Sequence, residues 1–134
     1  MKTYKNLAFV AIFALFNITI SAQKAVAEKA ISGCWKLVDF AITPAPAEME
    51  QMKKEALNGT ICMENGKFTT KKSDGTTSAT GVYSISEDGK TINQKMDGML
   101  DDMETPDGKI VKLTATEFVI QADDATMRFE KIKP

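Results

Sequence analysis

Four dipeptides, Asn65-Gly66, Asp74-Gly75, Asp88-Gly89 and Asp107-Gly108, stand between stretches of β-branched or alternating residues. Such pairs adopt the positive φ values that tight hairpin turns require, so each predicts a chain reversal. The reversals lie too close together for a parallel sheet, whose strands need a crossover of about a dozen residues or more. The segments around them, Phe68-Thr69-Thr70, Val82-Tyr83-Ser84-Ile85, Thr91-Ile92-Asn93, Ile110-Val111-Lys112-Leu113, Phe118-Val119-Ile120 and Met127-Arg128-Phe129, read as short strands. A meander of this many strands leaves open edges unless it closes on itself. The expected fold is all-β with one short helix: a small antiparallel up-and-down β-barrel of about eight strands.

The helix falls between the first two strands. Pro46-Ala47-Glu48 opens a stretch through Leu57 rich in good helix formers, and Asn58-Gly59 supplies the stop. Met49, Met52 and Ala56 recur at helical spacing, which predicts a packing face and a helix able to lie across a barrel mouth.

The chain begins with Lys2 and Lys5, an unbroken apolar run from Leu7 to Phe16, and small residues at Ser21-Ala22 and Ala25-Val26-Ala27. That is the pattern of a secretory signal peptide. Asn17 and Lys24 interrupt the run before it reaches the roughly 20 apolar residues of a membrane span. Cleavage after Ala22 would leave Gln23 first, whereas cleavage after Ala27 fits the small-x-small rule better, and both stay open. Ile31-Ser32-Gly33-Cys34 is similar to a lipidation box, but Lys24, Glu28 and Lys29 separate it from the apolar run. The expected organisation is a signal peptide over 1–22, a polar segment over 23–31 and a barrel domain over 32–134. Such a protein would be periplasmic or secreted, with no membrane span after signal removal.

Composition excludes several functions. Loss of Lys2 and Lys5 with the signal would take the formal charge from −1 to −3, and no basic block interleaves with aromatics, so nucleic acid is not an expected partner. The chain has no histidine and no CxxC pair, which argues against a zinc site, and no cofactor is expected. Its two cysteines, Cys34 and Cys62, each alternate out of phase with apolar neighbours. In an oxidising compartment they are disulfide candidates, with two reduced cysteines on neighbouring strands as the alternative. Catalysis is not expected: there is no histidine base, no Gly-x-Ser-x-Gly elbow and no phosphate-binding glycine loop. The acidic stretch Asp97–Gly108 lacks the alternation of a calcium loop and reads as a solvated loop, in which Met99, Leu100 and Met103 could form an apolar lip.

Gly33-x-Trp35, followed by Lys36-Leu37-Val38, resembles the opening motif of the lipocalin and calycin group. Gly81-Val82-Tyr83-Ser84-Ile85-Ser86 ahead of Asp88-Gly89-Lys90 is similar to bacterial exported lipocalin-like domains, and the likeness spans roughly residues 32–133. The resemblance implies that Trp35 plugs the closed end of the barrel and that an arginine from the last strand packs over it. Arg128, the single arginine of the chain, falls in that strand; the alternative is that it is an exposed strand charge, opposite in phase to Met127 and Phe129.

A barrel of about eight strands encloses just enough space for side chains or for one small ligand. The residues expected to line it are Met63, Phe68, Tyr83, Ile85, Ile92 and Met96 from the first half of the domain. Val111, Leu113, Phe118, Ile120, Met127 and Phe129 come from the second. Rich in methionine and poor in charge, this set would suit a small apolar molecule, or would simply fill the barrel. The expected function is binding of a small hydrophobic molecule without catalysis. The runner-up is a protein-binding module resembling small periplasmic barrel inhibitors of proteases, with the segment Gln23 to Ala30 inserting into an enzyme cleft.

Overall fold

The computed structural model describes residues 23–98 and 107–133. Turn chemistry sets the topology. Asn65 and Gly66 both take positive φ, 52° and 79°, and join β2 (Thr60–Glu64) to β3 (Lys67–Lys71) by the tightest of reversals. Asp74-Gly75 leads from β3 into β4 (Thr77–Ile85), and Asp88-Gly89 from β4 into β5 (Thr91–Met96). β6 (Gly108–Leu113), β7 (Glu117–Ala122) and β8 (Ala125–Lys131) complete the meander. β8 then pairs with β1 (Gly33–Ile42), from Trp35 opposite Lys131 to Ile42 opposite Ala125, and closes an eight-stranded antiparallel barrel. The up-and-down barrel expected from the sequence is the fold observed.

One expected turn is absent. Asp107-Gly108 does not reverse the chain; Gly108 begins β6 opposite Ile92 of β5. A Cβ on Gly108 would lie 2.7 Å from Cγ2 of Ile120, so this glycine serves close approach across the barrel, not a turn. Among the described residues the β5–β6 ladder holds the pairs Thr91–Lys109 and Ile92–Gly108.

Three slips in register break the strict alternation of the strands. Leu37 pairs with Phe129 but Asp39 with Arg128, leaving Val38 as an extra residue of β1. Ser78 is the extra residue of β4, and Val111 that of β6. Bulges of this kind sharpen the local twist and re-aim side chains, which is how a short-stranded sheet bends into a cylinder.

Among the described residues two helices flank the barrel. Residues 23–31 form α1, whose Ala27 and Ile31 join the core at 6% and 0% exposure; these residues, expected as a polar lead-in, are part of the fold. α2 (Met49–Ala56) is the helix expected between the first two strands. Its exit is held to β1, since the Asn58 amide donates to the Leu37 carbonyl at 2.9 Å and the Leu37 amide donates to the Gly59 carbonyl at 2.9 Å. No described helix is long and apolar enough to cross a membrane.

Candidate functional site

The two ends of the barrel differ. At the end where β1 begins, Trp35 is fully buried and its Nε1 donates to the Ile31 carbonyl at 2.8 Å. α1 thus stoppers the cylinder: the indole N–H takes up the carbonyl of Ile31, the last residue of the helix, and Lys24 pairs with Glu87 of the β4–β5 turn at 3.3 Å. Met63, Tyr83, Ile85 and Ile92, expected as ligand-lining, are packed into this plugged half at 8% exposure or less. None of the four borders the interior cavity; Tyr83 and Ile85 also border a cleft beside α1.

Above them the barrel is hollow. A cavity of about 500 Å³ opens toward the end covered by α2, within the range of roughly 300–1,000 Å³ in which small-molecule sites fall. Phe118 and Phe129 form its floor: their rings stack with centroids 5.7 Å apart, and Phe118 rests on Trp35 at 5.5 Å. Leu37, Ile61, Phe68, Ile120 and Met127 make the walls, and Ala56 and Glu55 of α2 border the opening. Of the residues expected to line the barrel interior, Phe68, Met96, Phe118, Ile120, Met127 and Phe129 border this cavity. Met96 stands at the rim, about half exposed.

Two expected lining residues lie elsewhere. Val111 is 54% exposed because it is the bulged residue of β6, pushed out of the inward series that Ile110 and Leu113 keep. Leu113 borders a shallow groove beside α1, together with Val26, Ala27 and Ala30, at the stoppered end. Conversely, Leu37 and Ile61 stand outside the expected lining set, while Ala56 borders the mouth as a helix lying across it implies. The signal for the first two was available, since Leu37 is in phase with Trp35 and Ile61 with Met63 along their strands. Met99, Leu100 and Met103, the expected apolar lip, lie outside the described residues.

The cation over the tryptophan is a lysine. Nζ of Lys131 sits 4.6 Å from the Trp35 ring centroid and donates to the Ser32 carbonyl. Arg128 is instead an outward strand charge, opposite Asp39 and paired with Glu130 at 3.7 Å on a well-exposed surface. Register explains the substitution: Lys131 is directly across from Trp35 and in phase with inward-facing Met127 and Phe129, whereas Arg128 is out of phase with both. Gly33 makes room for this arrangement. Its φ is +115°, and a Cβ there would approach Lys131 Nζ to 2.5 Å.

Cys34 and Cys62 face each other in the β1–β2 ladder, Cα atoms 4.0 Å apart, and are joined as a disulfide. Residues 23–30, the segment an inhibitor reading would insert into an enzyme, are helical here, with Ala27 buried against the barrel.

Solved structures of the same architecture include a lipocalin-like protein from Bacteroides uniformis. It matches with a TM-score of 0.58 at 15% identity, over 77% of this chain and 99% of that one. A DUF4847 family protein from Bacteroides vulgatus matches with a TM-score of 0.56 at 15% identity, over 81% of this chain and 99% of that one. At such identity the likeness is one of fold: this chain carries a lipocalin-like barrel. No protein-family model matches the chain, and no curated protein does.

Proposed function

We propose that this protein is an exported binding protein that holds a small apolar molecule in the open half of its barrel, without catalysing a reaction on it. The observation that carries the reading is the division of the interior. The same cylinder is packed solid around Trp35 yet leaves about 500 Å³ above Phe118 and Phe129. Empty apolar volume loses dispersion contacts and costs stability in a small domain, so a persistent hollow facing a mouth is better explained by an occupant than by packing. The walls suit an apolar guest of loose shape, since Met96 and Met127 repack at little cost. The basic start, apolar run and small residues of the first 22 positions support export to the periplasm or beyond.

Titration of the mature protein with an apolar fluorophore such as N-phenyl-1-naphthylamine tests this. One equivalent should bind per chain, and ligand at about a hundred times its dissociation constant should stabilise the fold by about 2.7 kcal/mol. Met127→Trp, which fills the cavity from β8, should abolish binding while leaving the far-ultraviolet spectrum unchanged. Fluorophore binding that survives this substitution would place the site elsewhere and defeat the proposal.

A further inference from the structure

A second recess lies at the stoppered end, between α1 and the barrel. One wall is the face of α1 that carries Lys24, Ala25 and Glu28; the other is the Asn65-Gly66 turn with Tyr83 and Ile85 of β4. It holds about 430 Å³, within the range of small-molecule sites. Tyr83 is the residue that marks it. The side chain is 8% exposed and packed into the core, and its backbone amide donates to the Gly66 carbonyl at 2.8 Å. Among the described residues its hydroxyl has no hydrogen-bond partner, although a phenol buried to this degree normally finds one. Every fully enclosed polar atom of a described side chain is bonded, so this hydroxyl is not enclosed: it reaches the recess that Tyr83 borders.

The surroundings of that hydroxyl are polar and balanced in charge. The Asn65 carboxamide borders the same recess and likewise has no partner among the described residues. The Ser32 hydroxyl donates to the Glu28 carbonyl at 2.9 Å and keeps its own oxygen free to accept. Lys24 is paired with Glu87, Glu28 and Lys29 offset each other, and Glu64 faces Lys67 in the ladder beside the turn. Lys131, close by, is held by the Ser32 carbonyl and the Trp35 ring. An ion of either sign therefore finds no surplus of opposite charge, whereas a phenol and a carboxamide both donate and accept, which suits a ligand whose own groups do the same. We infer that this recess binds a neutral saccharide unit, its hydroxyls on Tyr83 and Asn65 and its C–H face against Ala25 and Ile85. No residue borders both this recess and the cavity under α2, so the inference stands independently of the apolar site.

Tyr83 supplies the test, because the other tyrosine of the chain is Tyr4 and protein beginning at Gln23 contains Tyr83 alone. Mature protein carrying carbon-labelled tyrosine is titrated, by nuclear magnetic resonance, with methyl β-glucoside, methyl β-galactoside and N-acetylglucosamine, and with β-alanine as a zwitterionic control. At least one saccharide should shift the Tyr83 ring signal saturably. Tyr83→Phe, read from the saccharide signals by saturation transfer, should weaken that saccharide about threefold to tenfold, the loss of one hydrogen bond. Asn65→Gly, which keeps the positive φ of the turn, should do the same. Added salt should leave the affinity unchanged, and N-phenyl-1-naphthylamine should not compete. Tyr83→Phe should also leave the urea midpoint where it is, since the hydroxyl bonds nothing within the fold; a clear fall would mean that the phenol is held by the protein itself and would overturn the inference. A Tyr83 signal that none of the three saccharides moves, or tighter and salt-sensitive binding of β-alanine, would overturn it equally.

Discussion

Lys131 ties the last strand to the plugged end of the barrel. It closes over Trp35 and donates to the Ser32 carbonyl, and Gly33, with φ +115° and no side chain, leaves its ammonium room. A cation over a largely desolvated indole contributes about 1–2 kcal/mol, so Lys131→Met should lower the urea unfolding free energy by about that amount. Arg128→Met, which removes only an exposed pair, should change it by less than about 0.5 kcal/mol. Equal losses in the two variants would mean that the indole does not depend on Lys131. The Cys34–Cys62 bridge closes a loop of 28 residues, and on the chain-entropy account its loss in Cys34→Ser/Cys62→Ser should cost about 3–4 kcal/mol, measured by the same unfolding. Turn carboxylates add a pH dependence. The Ser86 hydroxyl, and then the Lys90 amide, hold the Asp88 carboxyl below its ordinary value; the Thr76 hydroxyl and amide do the same for Asp74. A carboxyl whose folded pKa is depressed stabilises the fold above its unfolded pKa, about 3.9, and that contribution is lost as pH falls through the folded value. The urea midpoint should therefore drop on acidification below about pH 4, and less steeply in Asp88→Asn.

The helix α1 and the bulged strands decide which end of the barrel is closed. Ile31 is fully buried beneath Trp35, so Ile31→Ala should destabilise by about 2–5 kcal/mol. The same packing bears on export: cleavage after Ala27 would remove the first half of α1, including buried Ala27, whereas cleavage after Ala22 would keep the described helix whole. The mature protein should therefore begin at Gln23, and a mass spectrum of exported protein showing Glu28 first would contradict this. Elements whose evidence is local were legible from the residues. Asn65-Gly66 and Asp88-Gly89 announce their turns, and α2 its place, because turn φ and helix propensity belong to a few neighbouring positions. Register is not local. Nothing near Val111 or Ser78 marks it as a bulge, so the outward turn of Val111 and the extra residue at Ser78 emerge only from pairing with β7 and β3. The same holds for Lys131, whose claim on Trp35 depends on how β8 aligns with β1.

Taken as a whole, the molecule divides its interior into a packed half and an open one. The stoppered half, from α1 through Trp35 to Ile92, is packed and holds the fold together. The half under α2 keeps its volume open. Closure of the cylinder was foreseeable from the number of strands and the need to remove their edges. Whether its core would be full or hollow was not, because the same apolar residues serve either outcome until their heights along the barrel are known. The central claim is that the hollow is real and accessible, and a crystal of the mature protein pressurised with xenon examines it directly, since xenon enters apolar cavities of this kind. The account predicts xenon among Phe68, Ile120 and Met127 and none beside Trp35; an empty map in the upper half, with those side chains collapsed together, would contradict it.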